Sequence, residues 1–223
     1  KDLNAYARRE NDSFIYDSYT DVRDQVEIIA MGIRSMGYNV GERVAILSEN
    51  RPEWIMTDYA CAHFGLISVP VYPTLLPDQV SYILNDSGAA LIFVSNEKKK
   101  KKIISIKEKL PNLRQMIIYQ GGEGFTKDWI LTFDTFLKNG EDFKAEVDYS
   151  LEDEGNKVKP EDLWTIIYTS GTTGTPKGVM LSQYNVATNA QASQGAVQFD
   201  SASRWISFLP YSHSLERIVA HFS

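Results

Sequence analysis

The sequence has little cysteine, little histidine and no long apolar run, and each shortage excludes a class of protein. One cysteine, Cys61, among 223 residues cannot form an internal disulfide, so the disulfide-stapled secreted scaffolds are excluded. Three histidines (His63, His213 and His221) are too few to favour a zinc cluster. A reduced, cytoplasmic setting fits this usage. No apolar stretch approaches the roughly 18 residues of a membrane span. Basic residues are outnumbered, 23 to 29, whereas a nucleic-acid binder would more often be basic, so no nucleic acid is expected as a partner. No internal repeat is evident. The chain opens Lys-Asp-Leu-Asn, with no initiator Met and no signal-like apolar region, as a trimmed chain would.

What is present suits a globular chain: 43% apolar and 23% charged residues in 25.2 kDa. A chain of that mass can bury about 70% of its surface without staples. The net charge of −6 lies in one stretch, 141–162, where nine acidic residues meet three basic ones (3 − 9 = −6). Upstream, helical and extended patterns alternate. Val22, Val26, Ile29, Ile33 and Met36 recur at helical spacing, with Thr20 as N-cap and Gly37 as stop. Val44 to Leu47 reads as a strand buried on both faces, and Asn50-Arg51-Pro52-Glu53 as a helix start with Asn50 capping. Strands at 67–71, 91–94 and 116–119 then alternate with helices at 77–86 and 96–110. This rhythm predicts an α/β fold with a largely parallel sheet covered on both faces.

The organisation expected is a first α/β layer over residues 1–120, a surface connection over 121–160, and the start of a second α/β layer over 161–223. Gly121-Gly122-Glu123-Gly124 marks a turn, and a short helix near 132–138 should end at Asn139-Gly140. Five consecutive lysines, 98–102, read better as the solvated first turn of a helix than as an anionic-ligand patch, since no aromatic residue interleaves them.

The chemistry concentrates after the β-prone run Leu163 to Tyr168. There Thr169-Ser170-Gly171-Thr172-Thr173-Gly174-Thr175-Pro176-Lys177-Gly178 packs three glycines, five hydroxyls and one lysine into ten residues. Glycine lets backbone approach a ligand closely, successive N–H groups can converge on an anion, and hydroxyls and the lysine add donors and charge. Polyphosphate is the natural guest. A mobile polar turn would share the composition, but placement after a buried strand favours a binding loop. The Walker pattern fails, because Pro176 stands where its second glycine belongs and Gly178 follows the lysine; the dinucleotide fingerprint Gly-x-Gly-x-x-Gly fails too.

The run from Tyr168 to Val179 resembles the phosphate-loop signature of the adenylate-forming enzymes: acyl-CoA synthetases, nonribosomal-peptide adenylation domains and luciferases. Phe208 to Arg217, reading Phe-Leu-Pro-Tyr-Ser-His-Ser-Leu-Glu-Arg, resembles the "LPLSHxxER" segment of the long-chain fatty acyl-CoA synthetase branch. Arg43 to Trp54 and Val69 to Thr74 resemble that branch's N-terminal sheet. The likeness runs from about Tyr19 to the last residue and is weakest between Gly121 and Lys159.

The resemblance implies the first part of a large N-terminal domain of an enzyme that joins a fatty acid to ATP and passes the acyl group to coenzyme A. Thr169, Ser170, Gly171, Thr172, Thr173, Gly174, Lys177 and Gly178 would meet the phosphates, with Thr169 helping to hold Mg2+. Lys177 would act electrostatically, and His213 would lie near the reacting carboxylate and acyl entrance. Glu216 and Arg217 read equally well as a charge pair at a helix start, and Gln183 departs from the histidine common in the family. The resemblance admits pairing through N-terminal domains, as in some relatives, and peripheral membrane contact. The family's later motifs, Tyr-Gly-x-Thr-Glu and Thr-Gly-Asp, have no counterpart before Ser223, so these residues alone are expected to be inactive. A non-catalytic nucleotide- or partner-binding module and an amino-acid adenylation enzyme stay open as alternatives.

Overall fold

The computed structural model describes residues 3–122, 127–148, 151–169, 175–196 and 203–222. Strands β1 (Asn4–Glu10) and β2 (Ser13–Ser18) form a separate antiparallel hairpin ahead of helix α1 (Tyr19–Ser35). Then come β3 (Arg43–Leu47), α2 (Pro52–His63), β4 (Ile67–Val71), α3 (Pro77–Ser87), β5 (Leu91–Val94), α4 (Glu97–Ile106) and β6 (Gln115–Ile118). The chain continues through β7 (Ile130–Thr132), α5 (Phe133–Glu146), α6 (Leu151–Gly155), β8 (Leu163–Thr169), β9 (Lys177–Ser182), α7 (Gln183–Ala196) and α8 (Ser214–Phe222).

Seven strands make one sheet in the order β7-β6-β5-β3-β4-β8-β9. Every pair in it is parallel except β8 with β9. The period of two along each strand sends alternate side chains to opposite faces. Val44, Leu91, Phe93 and Ile117 pack under α1, α2 and α5, while Ala45, Leu47, Ile92, Val94 and Met116 pack under α3 and α4. Fully burying side chains of this size stabilises by about 1.5–3 kcal/mol each. The mostly parallel, doubly covered sheet expected from the apolar runs is therefore present. Strands β8 and β9 extend this same sheet, through β4, where a new layer is expected from residue 161. Within the expected connection, β7 lines the sheet edge and α5 crosses α1.

Several local expectations are corrected. The N-cap of α1 is Ser18, not Thr20: its hydroxyl accepts from the Asp21 N–H at 3.1 Å, and the Asp21 carboxylate accepts from the Ser18 N–H at 2.8 Å. Gly37 does follow the helix, at φ 78°. Helix α5 does not stop at Asn139-Gly140. A Cβ on Gly140 would lie 2.4 Å from the Ile28 carbonyl oxygen, so this glycine permits a close helix crossing instead of ending a helix. Nor is the lysine run simply solvated. Lys99 and Lys100 are 6% and 4% exposed. The Lys99 ammonium donates to the Pro73 carbonyl at 2.7 Å beside Glu49, and Lys102 donates to the Pro73 and Leu75 carbonyls. The ammonium groups thus satisfy the turn after β4 while their stems cover apolar surface. Among the described residues no helix is long and apolar enough to cross a membrane.

Candidate functional site

Strands β8 and β9 form an antiparallel hairpin in which Thr169 stands opposite Lys177. The signature loop is the connection between them. Ser170, Gly171, Thr172, Thr173 and Gly174 lie outside the described residues, as does Gly124 of the expected glycine turn. Thr169 and Lys177, at the two mouths of the loop, are exposed and brought together by the register.

The hairpin is braced from α3. The Tyr82 hydroxyl donates to the Pro176 carbonyl at 3.0 Å, and the Tyr168 hydroxyl donates to the Asp86 carboxylate at 2.6 Å. Burial, reinforced by that carboxylate, pushes the Tyr168 phenol well above its ordinary value of 10.0, so it stays a donor. The two tyrosine rings meet edge to face at 6.3 Å. Gly178 lies opposite Tyr168, and a Cβ there would come within 2.7 Å of Ile166 Cγ2 and 3.2 Å of Tyr168 Cζ. Packing therefore requires a glycine at 178 whatever the loop binds.

His213 stands at the N-terminus of α8. Its Nδ1 accepts the Leu215 N–H at 3.2 Å, so in the neutral ring the proton sits on Nε2 of an exposed imidazole. Asn50 holds the approach to it. Its amide donates to Ser207 Oγ (3.0 Å) and the Leu209 carbonyl (2.7 Å), and its oxygen accepts from the Tyr211 N–H (2.8 Å). Asn50 is thus a clamp on the 207–211 segment, and the capping role expected for it is not filled by any side chain, because Arg51 is the N-cap of α2.

Arg217, expected as half of a charge pair at a helix start, is 3% exposed and makes its ion pair with Asp58 of α2. Its guanidinium makes paired bonds to Asp58 at 2.7 and 2.6 Å and donates to Thr165 Oγ1 at 2.7 Å and Ser68 Oγ at 2.9 Å. The rings of Trp54 and Trp164 lie 5.8 and 5.7 Å from its central carbon. Between β8–β9 and helices α7 and α8 runs a groove of about 530 Å³, with Ile167, Leu181, Val186 and Ile218 on its walls. Gln183 ties the start of α7 to α2 by donating to the Ala62 carbonyl at 3.0 Å. Tyr82, Asp86, Asn50 and Asp58 carry no sequence signal of their roles, because each acts on a segment about 80 to 160 residues further along the chain.

The family profile described as AMP-binding enzyme matches residues 3–223, nearly the whole chain. The chain belongs to the AMP-binding enzyme family. Among its relatives, a peroxisomal protein of Arabidopsis thaliana, long chain acyl-CoA synthetase 7, is 33% identical over 210 residues. That alignment covers 90% of this chain and 28% of the relative. Long-chain-fatty-acid–CoA ligase ACSBG2 of Xenopus laevis is 31% identical over 222 residues, covering 98% and 30%. The chain thus spans less than a third of these curated relatives. Among solved structures, a long-chain-fatty-acid-CoA ligase (FadD1) from Archaeoglobus fulgidus superposes with TM-score 0.79 at 24% identity, over 96% of this chain and 39% of that one. This family member therefore shares the fold of the N-terminal domain of adenylate-forming enzymes.

Proposed function

We propose that the chain is the N-terminal portion of a long-chain fatty acid–CoA ligase of the AMP-forming type. The observation that carries the reading is the signature loop strung between Thr169 and Lys177 on a braced hairpin, within a chain whose relatives are named as such ligases. In the first half-reaction a carboxylate oxygen attacks the α-phosphorus of ATP and the bond to the bridging oxygen breaks. Acyl-adenylate forms and pyrophosphate leaves with the accumulated charge. The backbone amides and hydroxyls of Thr169, Ser170, Gly171, Thr172, Thr173, Gly174 and Gly178 hold the β- and γ-phosphates, and Lys177 adds a positive charge where the leaving group becomes more negative. Mg2+ travels with the triphosphate as part of the substrate and meets the Thr169 hydroxyl. His213 presents Nε2–H towards the carboxylate, and the groove beside β8, with Ile167, Leu181, Val186 and Ile218 on its walls together with Thr165 and Arg217, suits an acyl chain. In the second half-reaction the coenzyme A sulfur takes the acyl group and AMP leaves.

A reduced, cytoplasmic setting agrees with Cys61 being free and buried. Membrane contact and homodimer formation belong to this reading as properties of the complete enzyme. The present 223 residues alone should bind ATP weakly and support no fatty-acid-dependent pyrophosphate exchange. In the complete polypeptide, Lys177→Ala should lower kcat/KM for ATP by about 10²–10³-fold, the usual cost of removing one preorganised donor, and Gly174→Ala, which keeps its N–H but adds a methyl where backbone must approach the phosphates, should lower it as well. Unchanged adenylation kinetics in both variants would refute the loop assignment. Exchange driven by amino acids and not by fatty acids of any length would favour the adenylation branch, and no exchange at all a binding module.

A further inference from the structure

Arg217 occupies an unusual position for a charged residue: it lies among Trp54, Trp164 and the strand backbones, and its bonds reach three other elements. Asp58 belongs to α2, Ser68 to β4 and Thr165 to β8, while Arg217 itself is on α8. A buried ion pair is a poor source of net stability, since desolvation of both ions offsets their attraction and apolar residues of like volume often serve as well. What a guanidinium supplies that an aliphatic side chain cannot is direction, because its donors leave in a fixed planar fork. Here the fork has one branch on Asp58 and another on Thr165.

Both ends of that fork connect to the proposed site. Thr165 is on the strand that ends at Thr169, the first residue of the signature. Arg217 lies one helical turn after His213, and its own N–H donates to the His213 carbonyl at 3.2 Å. The imidazole-bearing end of α8 is therefore fixed to the loop-bearing strand through a buried side chain. Asn50 restrains the other side of His213 through Ser207 Oγ and the backbone at 209 and 211.

We propose that Arg217 is a positioning residue, which sets where His213 stands relative to the phosphate loop by anchoring α8 to Thr165 of β8. This rests on the ligase reading above. The consequence is specific: loosening the anchor displaces the group beside the reacting carboxylate and leaves the triphosphate site intact.

The test is a double-mutant cycle in the complete enzyme, read by fatty-acid-dependent pyrophosphate exchange. Arg217→Lys keeps the charge and loses the fork. It should lower kcat by about tenfold or more with KM for ATP within about twofold, since an ångström of misplacement can cost on the order of 10²-fold. In a His213→Ala background the same substitution should cost almost nothing further, because the residue acts through His213. Additive losses would overturn the proposal, as would a rise in KM for ATP that accounts for the whole defect, or an unchanged rate in His213→Ala alone. If Arg217→Lys does not fold, Thr165→Val, which cuts the link to β8 together with the Thr165 hydroxyl's own bond to the Ser68 carbonyl, carries the same cycle. Failure of the ligase reading is a different result: the unmutated enzyme would then show no fatty-acid dependence.

Discussion

The two ends of the sheet are built differently. From β3 to β6 the strands are covered on both faces, and side chains such as Ile46, Phe93 and Ile117 have no exposed surface. At the other end, β9 is an edge strand with Met180 63% exposed, and Ile206 and Phe208 on the approach to α8 are 80% and 73% exposed. One region holds itself together by burial. The other holds the signature loop and His213 by particular polar bonds: Tyr82 to Pro176, Asn50 to 207–211, and Arg217 to Thr165 and Asp58. Stability and chemistry are thus carried by different forces in different places.

That contrast can be broken most forcefully by truncation. Phe93→Ala removes a ring packed against Tyr119 and Phe136 and should cost about 3–5 kcal/mol, whereas Met180→Ala should stay within about 0.5 kcal/mol. Urea unfolding of the two variants decides it, and similar losses would erase the distinction. A smaller effect is expected from Gly140→Ala. The added methyl meets the α1 backbone at Ile28 and Gly32, so the helices must separate, at about 1–3 kcal/mol of overpacking. A thermal midpoint at or above that of the parent would show that the crossing has room to spare.

The smallest effect concerns pH, at the start of α2. Burial alone would raise the Glu53 carboxyl, but two bonds from Arg51, at 2.8 and 3.0 Å, outweigh it and hold the group below its ordinary 4.5. A carboxyl depressed in the folded state contributes stability that is present above pH 4.5 and lost as pH falls through the lower folded value. Glu53→Gln should therefore flatten the fall in unfolding midpoint on acidification below that point. Parallel curves for parent and variant would show that Glu53 is not a source of the acid sensitivity.

Much of the covered sheet was legible, because a strand buried on both faces has to be a short apolar run, and Val44 to Leu47 or Leu91 to Val94 can be little else. The family was legible from the letters of one loop and of the segment 208–217. What stayed hidden depends on partners far along the chain. Asn50 before Pro52 looks like a helix cap, and only the presence of Leu209 and Tyr211 makes it a clamp. Lysines 99 and 102 look solvated until the carbonyls of Pro73 and Leu75 are set beside them. Gly140 reads as a helix end because its neighbour Gly32 is on another helix. Arg217 beside Glu216 reads as a charge pair at a helix start, since nothing local announces Asp58 and Thr165.

The facing of Thr169 and Lys177 has a consequence for how this chain can change. Adding or deleting residues between them leaves both strands in register, so the sheet sets no limit on the length of the loop. One residue inserted past Lys177 would instead turn the remainder of β9 over, swapping its inward and outward side chains. As far as strand pairing is concerned, the boundary between tolerant and intolerant length thus falls at a single cross-strand pair.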